Sequence, residues 1–163
     1  VADMLEKYAI RNVVLDPVMV STSGHRLIEE DAVDVIKSRL IPLARVITPN
    51  IPEAEILTGC TISSEEDFEH IARLLSNGSR MSVFLKAGHL DGEYLVDYFY
   101  NAEDGKISYL PSRRVRTKNT HGTGCTLSSA LAAALAKGME LTDAAKEAKS
   151  YIEKAVTSVV VTR

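Results

Sequence analysis

A chain of 163 residues is long enough for one domain with a sizeable core, and 45% hydrophobic with 25% charged residues is the balance of a folded globular protein. The formal charge of -3 argues against a nucleic-acid binder whose affinity comes from neutralising phosphates, and no apolar run approaches the roughly 18 residues of a membrane span. Cys60 and Cys125 lack a second Cys or His at zinc spacing, so free thiols and a reducing, cytoplasmic compartment are expected.

In chain order, Val1 to Ile10 reads as the second half of an amphipathic helix. NVVLDPVM (Asn12 to Met19) is a short apolar run closed by Asp-Pro, as in a buried parallel strand. A helix is expected over about Glu30 to Arg39. ARVITPN (Ala44 to Asn50) repeats the strand pattern, with Pro49 ending it, and a short helix follows from Ile51 to Leu57. Ser64 caps a third helix that runs to about Leu75, Asn77-Gly78 breaks it, and MSVFLKAG (Met81 to Gly88) is another buried strand. Strands alternating with helices predict right-handed crossovers and a parallel sheet covered on both faces. The pattern then changes: GEYLVDYFY (Gly92 to Tyr100) and KISYLPSRRV (Lys106 to Val115) are rich in aromatic and β-branched residues, with Asp104-Gly105 between them as a hairpin turn. They predict antiparallel strands at the sheet edge. The cations Arg113, Arg114, Arg116 and Lys118 read as a solvated strand end. Two helices close the chain, about Gly124 to Lys137 and Thr142 to Val161, with Gly138 as the cap between them. No linker divides the chain, so residues 1–163 form one domain.

In an open parallel sheet, ligands bind beyond the carboxyl ends of the strands. The residues there are Asp16, Asn50 with Glu53 three positions on, Lys86, and the Gly122-Thr123-Gly124-Cys125 turn that opens the Ala-rich helix. A helix N-terminus behind glycines accepts an anion close to its backbone N–H groups. Lys86 supplies a point charge for phosphate oxygens, and Asp16 with Glu53 suits the hard, hydrated Mg2+ ion. Together these outline a phosphoryl-transfer site for a magnesium-bound polyphosphate. Taken singly, each element has a plainer reading. Asp-Pro and Asn-x-Pro are common loop starters, and Gly-x-Gly before a helix fits many tight turns.

The strings VVLDPVM, ITPNIPEAEILTG, LKAGHL and TKNTHGTGCTLSSALAA resemble the hydroxymethylpyrimidine/phosphomethylpyrimidine kinases of thiamine biosynthesis, within the ribokinase-like fold. The resemblance runs from Asn12 to about Ala155. HGTGC is its most specific string, because sugar kinases of that fold usually carry aspartate where this chain has Cys125. It implies a three-layer α/β/α sandwich with a mainly parallel sheet and an antiparallel edge hairpin. It also implies ATP-dependent phosphorylation of hydroxymethylpyrimidine and of its monophosphate, with Mg2+ as cofactor.

On these positions, the resemblance makes Gly122, Thr123, Gly124 and Cys125 an anion hole, with Cys125 where the catalytic base stands. Lys86 contacts nucleotide phosphates, Asn50 and Glu53 form the Asn-x-x-Glu magnesium motif, Asp16 sits beside them, and Lys149 in EAKSY is a nucleotide contact. LKAGHL departs from the more usual Lys-Gly-Gly-His by one methyl group. Family members carry roughly a hundred further residues ahead of this region, supplying most of the pyrimidine pocket. The expectation is therefore a fragment holding the nucleotide and phosphoryl-transfer half of a site. The alternatives are a pyridoxal or pyridoxine kinase, since some members with Gly-Thr-Gly-Cys accept those rings, and a non-catalytic nucleotide-binding module. No sequence feature sets the oligomeric state; a homodimer is one compatible assembly.

Overall fold

A computed structural model describes residues 1–20, 27–78, 80–86, 94–113 and 122–161. His89 of LKAGHL, Arg114 to Lys118 and His121 lie outside the described residues. The first helix, α1 (Ala2–Lys7), buries none of its residues. The strand expected over Asn12 to Met19 narrows to β1 (Val14–Leu15), and that over Ala44 to Asn50 narrows to β2 (Val46–Ile47). Pro17 and Pro49 have no N–H for the ladder, which explains why the regular pairing stops so early.

Helix α2 (Glu30–Val35) is shorter than the expected Glu30 to Arg39; a wider turn over Ile36–Leu40 and a tighter one over Ile41–Leu43 take its place. Pro42 cannot give an N–H to the carbonyl one turn back, so the α pattern cannot continue. Helix α3 (Ile51–Thr58) follows β2, and α4 (Phe68–Leu75) is entered through a tight turn capped by Ser64. Then come β3 (Ser82–Leu85), β4 (Tyr94–Tyr100), β5 (Ile107–Arg113), α5 (Thr123–Ala136) and α6 (Leu141–Val161).

The sheet has the order β1-β2-β3-β4-β5. Its first three strands are parallel, pairing Val14 with Val46 and Ile47 with Val83, and the last two are antiparallel. The hairpin loop is longer than a two-residue turn: Asn101 N–H donates to Lys106 O at 2.8 Å, and Gly105 adopts φ 69°. Pro111 lies in the middle of β5, an edge strand, where a proline is tolerated.

Alternation along the strands builds two cores. Ile47, Val83, Leu85, Tyr98 and Tyr100 pack on α2, α3 and α4 through residues such as Val33, Ala54, Leu57, Phe68 and Ile71. Val46, Phe84, Phe99 and Leu110 face the other way, onto Leu127, Leu131 and Leu135 of α5 and Leu141, Ala144 and Ala148 of α6. Central strand β3 is buried at every position, which is why it reads as an unbroken apolar run. The three-layer α/β/α arrangement expected from the sequence is present. It leaves the carboxyl ends of β1, β2 and β3 side by side beneath the start of α5.

Candidate active site

Asp16 follows β1 and Lys86 follows β3, 70 residues apart in sequence, yet Lys86 Nζ donates to Asp16 Oδ1 at 2.8 Å. Both side chains are largely buried, at 16% and 13% exposure, so the attraction is screened far less than a surface pair's. Parallel register produces the meeting: Lys86 N–H donates to Pro49 O at 2.9 Å, and Asn50 and Lys86 form a bridge just past the strand ends. A second donor reaches the same carboxylate oxygen. Thr48 Oγ1 lies 3.0 Å from Asp16 Oδ1. Thr48 lies within ITPN, where no spacing or motif marks it as a site residue. Among the described residues, Asp16 Oδ2 accepts no hydrogen bond.

Gly124 brings α5 onto this pair. A Cβ at Gly124 would stand 3.2 Å from Lys86 Nζ and 4.0 Å from Asp16 Oδ2, so the first turn of α5 rests against the ammonium group. The turn is set by Gly122, whose φ of 80° lies in the left-handed region that glycine adopts at no steric cost. No side chain caps this helix start. Thr126 N–H to Gly122 O is the first intrahelical bond, so the N–H groups of Gly124 and Cys125 lie ahead of the helical ladder. The hydroxyls of Thr126, Ser128 and Ser129 all turn back onto carbonyls of Gly122, Gly124 and Cys125, away from that end. Cys125 is exposed.

Gly124→Ala separates stability from ligand binding at this point. Alanine gains up to ~1 kcal/mol over glycine inside a helix, while its methyl must displace the Lys86 ammonium that Asp16 holds. The expected outcome is an unchanged or higher melting temperature with an affinity for magnesium-ADP about 10-fold lower. Thermal denaturation and calorimetry measure the two, and parent-like affinity would show that Lys86 moves aside at no cost.

Asn50 and Glu53 form a reciprocal helix cap. Asn50 Oδ1 accepts from Glu53 N–H at 2.9 Å, and Glu53 Oε2 accepts from Asn50 N–H at 2.9 Å. Glu53 Oε1 also faces Met19 N–H at 3.4 Å, so one carboxylate ties the segment after β1 to the start of α3. Burial pushes the Glu53 carboxyl above the usual range; the Asn50 amide, the positive charge of Lys86 and the Met19 amide oppose this, and the Asp16 charge adds to it. Asn-x-x-Glu is a helix-cap signature as much as a metal motif, and the cap is the function this geometry displays. Lys149 on α6 donates to Asp97 Oδ2 on β4 at 2.6 Å, both side chains being nearly buried. Its charge is taken up there, and no described contact joins it to the Asp16–Lys86 pair.

A groove of about 440 Å³ lies between α5 and α6, lined by residues including Ser129, Ala133, Lys137 and Tyr151, and does not include Asp16 or Lys86. Among the described residues no three His, Cys, Asp or Glu side chains form a metal cluster, and no helix is long and apolar enough to cross a membrane.

The family model of phosphomethylpyrimidine kinase matches residues 1–162. The chain belongs to the phosphomethylpyrimidine kinase family. It is 48% identical over 157 residues to the thiamine biosynthesis bifunctional protein ThiED of Geobacter sulfurreducens, covering 96% of this chain and 31% of that protein. To the hydroxymethylpyrimidine/phosphomethylpyrimidine kinase of Escherichia coli it is 42% identical over 158 residues, covering 96% and 58%. Among solved structures, the phosphomethylpyrimidine kinase of Clostridium difficile superposes with a TM-score of 0.78 at 38% identity, over 95% of this chain and 62% of that one. The pyridoxal kinase of Staphylococcus aureus in complex with ADP gives a TM-score of 0.84 at 28% identity, over 95% and 56%. The chain thus spans 58% of the Escherichia coli phosphomethylpyrimidine kinase it matches.

Proposed function

We propose that this chain carries the nucleotide and phosphoryl-transfer side of an ATP-dependent kinase acting on hydroxymethylpyrimidine and on its monophosphate. The observation that carries the reading is the convergence of Asp16, Lys86 and the Gly122–Cys125 turn at one sheet edge. In this reading the acceptor oxygen attacks the γ-phosphorus, the bond to the β–γ bridging oxygen breaks and ADP leaves; an alcohol acceptor releases its proton to solvent, while a phosphate acceptor arrives ionised. The N–H groups at the start of α5 take up charge on the transferring group, as preorganised donors in a site of low dielectric. Lys86 compensates the phosphates, and Thr123 and Cys125 flank the glycine at which the phosphoryl group approaches the backbone.

Asp16 Oδ2 fits a magnesium ion, which needs only one or two carboxylates beside phosphate oxygens and waters. When bound, magnesium supplies charge neutralisation on the nucleotide phosphates. Glu53 contributes its charge to the same region while serving as the α3 cap, and Asn50 positions it.

The relatives named as pyrimidine kinases are 38–42% identical to the chain, against 33% for the Bacillus subtilis and 28% for the Staphylococcus aureus pyridoxal kinase, which supports pyrimidine over pyridoxal as acceptor. The 163-residue chain is expected to bind magnesium-ADP weakly and to phosphorylate nothing, the acceptor pocket lying in sequence that relatives have beyond the matched region. Calorimetry with magnesium-ADP and a coupled assay with hydroxymethylpyrimidine, its phosphate and pyridoxal test this. Efficient turnover by the chain alone, or no affinity for the nucleotide, overturns the reading.

A further inference from the structure

We propose that Thr48 is a positioning residue: by holding Oδ1 of Asp16 together with Lys86, its hydroxyl leaves Oδ2 as the oxygen turned toward the first turn of α5. The inference rests on the reading of Asp16 given above. Thr48 is fully buried, at 0% exposure, between the core residue Ile47 and Pro49. Its backbone N–H donates to Leu15 O at 3.0 Å and so continues the β1–β2 ladder. At such a site valine would fill the same space with equal strand preference and no polar atom to satisfy. A hydroxyl there costs stability unless it finds a partner, and the partner it finds is Asp16 Oδ1 at 3.0 Å.

The arrangement is asymmetric. Lys86 Nζ at 2.8 Å and Thr48 Oγ1 at 3.0 Å converge on one oxygen, and the other oxygen faces Gly124. An aspartate carboxylate otherwise turns broadly about its last torsion, so either oxygen could face the phosphates. Lysine alone, being a flexible point charge, does not fix that rotation. The threonine hydroxyl is rooted in the sheet by its own backbone, and two donors from different strands define the carboxylate plane. Partners of this kind, one contact removed from a bound cation, typically change metal affinity or activity by 10- to 100-fold when lost.

The test uses Thr48→Val and Thr48→Ser in the intact protein, with affinity for ADP measured by calorimetry with and without magnesium, and magnesium half-saturation measured in turnover. Thr48→Val is expected to lose about 10-fold of the affinity gain that magnesium brings, to leave magnesium-free ADP binding as in the parent, and to raise magnesium half-saturation by a similar factor. Thr48→Ser, which keeps the hydroxyl, should stay within about 3-fold of the parent. A lower melting temperature with unchanged magnesium dependence would reduce Thr48 to a packing residue and overturn the proposal. Should valine prevent folding, Thr48→Ala against Thr48→Ser gives the same comparison. Asp16→Asn separates the two levels. If it abolishes the magnesium effect while Thr48→Val does not touch it, only the positioning role fails; if Asp16→Asn changes nothing, the site reading fails and the proposal with it. Added to Asp16→Asn, Thr48→Val should cause no further loss, and an undiminished further loss also overturns the proposal.

Discussion

Lys86→Met in the intact protein is expected to lower kcat/KM for pyrimidine phosphorylation by about 100- to 1,000-fold, the loss typical of removing one charge-stabilising donor from a transfer site. The ammonium lies against the first turn of α5, where a Cβ on Gly124 would stand 3.2 Å from it. Methionine keeps the length and apolar stem, which confines the change to charge and hydrogen bonding. A second effect follows from the same contact. Asp16 loses its charged donor while remaining mostly buried, at 13% exposure, and among the described side chains retains Thr48 as its donor. A hydrogen bond to a charged group contributes roughly 1.5–3 kcal/mol, so the denaturation midpoint should fall accordingly. Adding Asp16→Asn to Lys86→Met should recover part of that stability and none of the activity. Activity within a few-fold of the parent would mean that Lys86 serves the sheet edge and not the transferred group.

Cys125→Asp is expected to damage transfer to the phosphorylated pyrimidine far more than transfer to the free alcohol, with kcat/KM ratios diverging by about 10-fold or more. The residue is exposed and stands in the first turn of α5, three positions past the left-handed Gly122. A hydroxymethyl acceptor carries a strongly held proton that a carboxylate can remove, whereas a phosphate monoester, with its second pKa near about 6, arrives largely ionised. The added carboxylate therefore repels the second acceptor and assists the first. Cys125→Ser, nearly isosteric and without the carboxylate charge, should be milder than aspartate for the phosphate acceptor. Steady-state kinetics with both acceptors decide the matter. Equal losses in Cys125→Asp would show that charge at this position does not discriminate, and acceptor ionisation would be the wrong explanation for the cysteine.

What could be read from the sequence was what local chemistry determines. The apolar runs ending in Asp-Pro and Thr-Pro locate β1 and β2, and the aromatic, β-branched stretch around Asp104-Gly105 locates the β4–β5 hairpin. The runs overstated the strands because apolar character extends past the point where proline removes the ladder N–H. Helix α2 was overstated for the same reason, Pro42 acting one turn ahead of itself. Glu53 shows a different limit: its spacing from Asn50 is the signature of a cap as well as of the family's magnesium motif, and spacing alone does not separate the two. Thr48 and Lys149 were beyond local reading. Their partners Asp16 and Asp97 lie 32 and 52 residues away, and only the sheet register and the packing of α6 bring them together.

The two borders of the sheet are chemically unlike. On the β5 side, Pro111 has no N–H to offer outward and the exposed Tyr109 stands two residues before it, so an incoming chain meets a blunted template, one of the devices by which edge strands resist intermolecular pairing. On the β1 side, the apolar strand is only two residues long, too short a template for a stray chain, yet its end carries Asp16. Any strand that extends the sheet in register must therefore do so next to the Asp16 carboxylate. Adding to the fabric of the fold and closing the surroundings of Asp16 are, on that border, the same event.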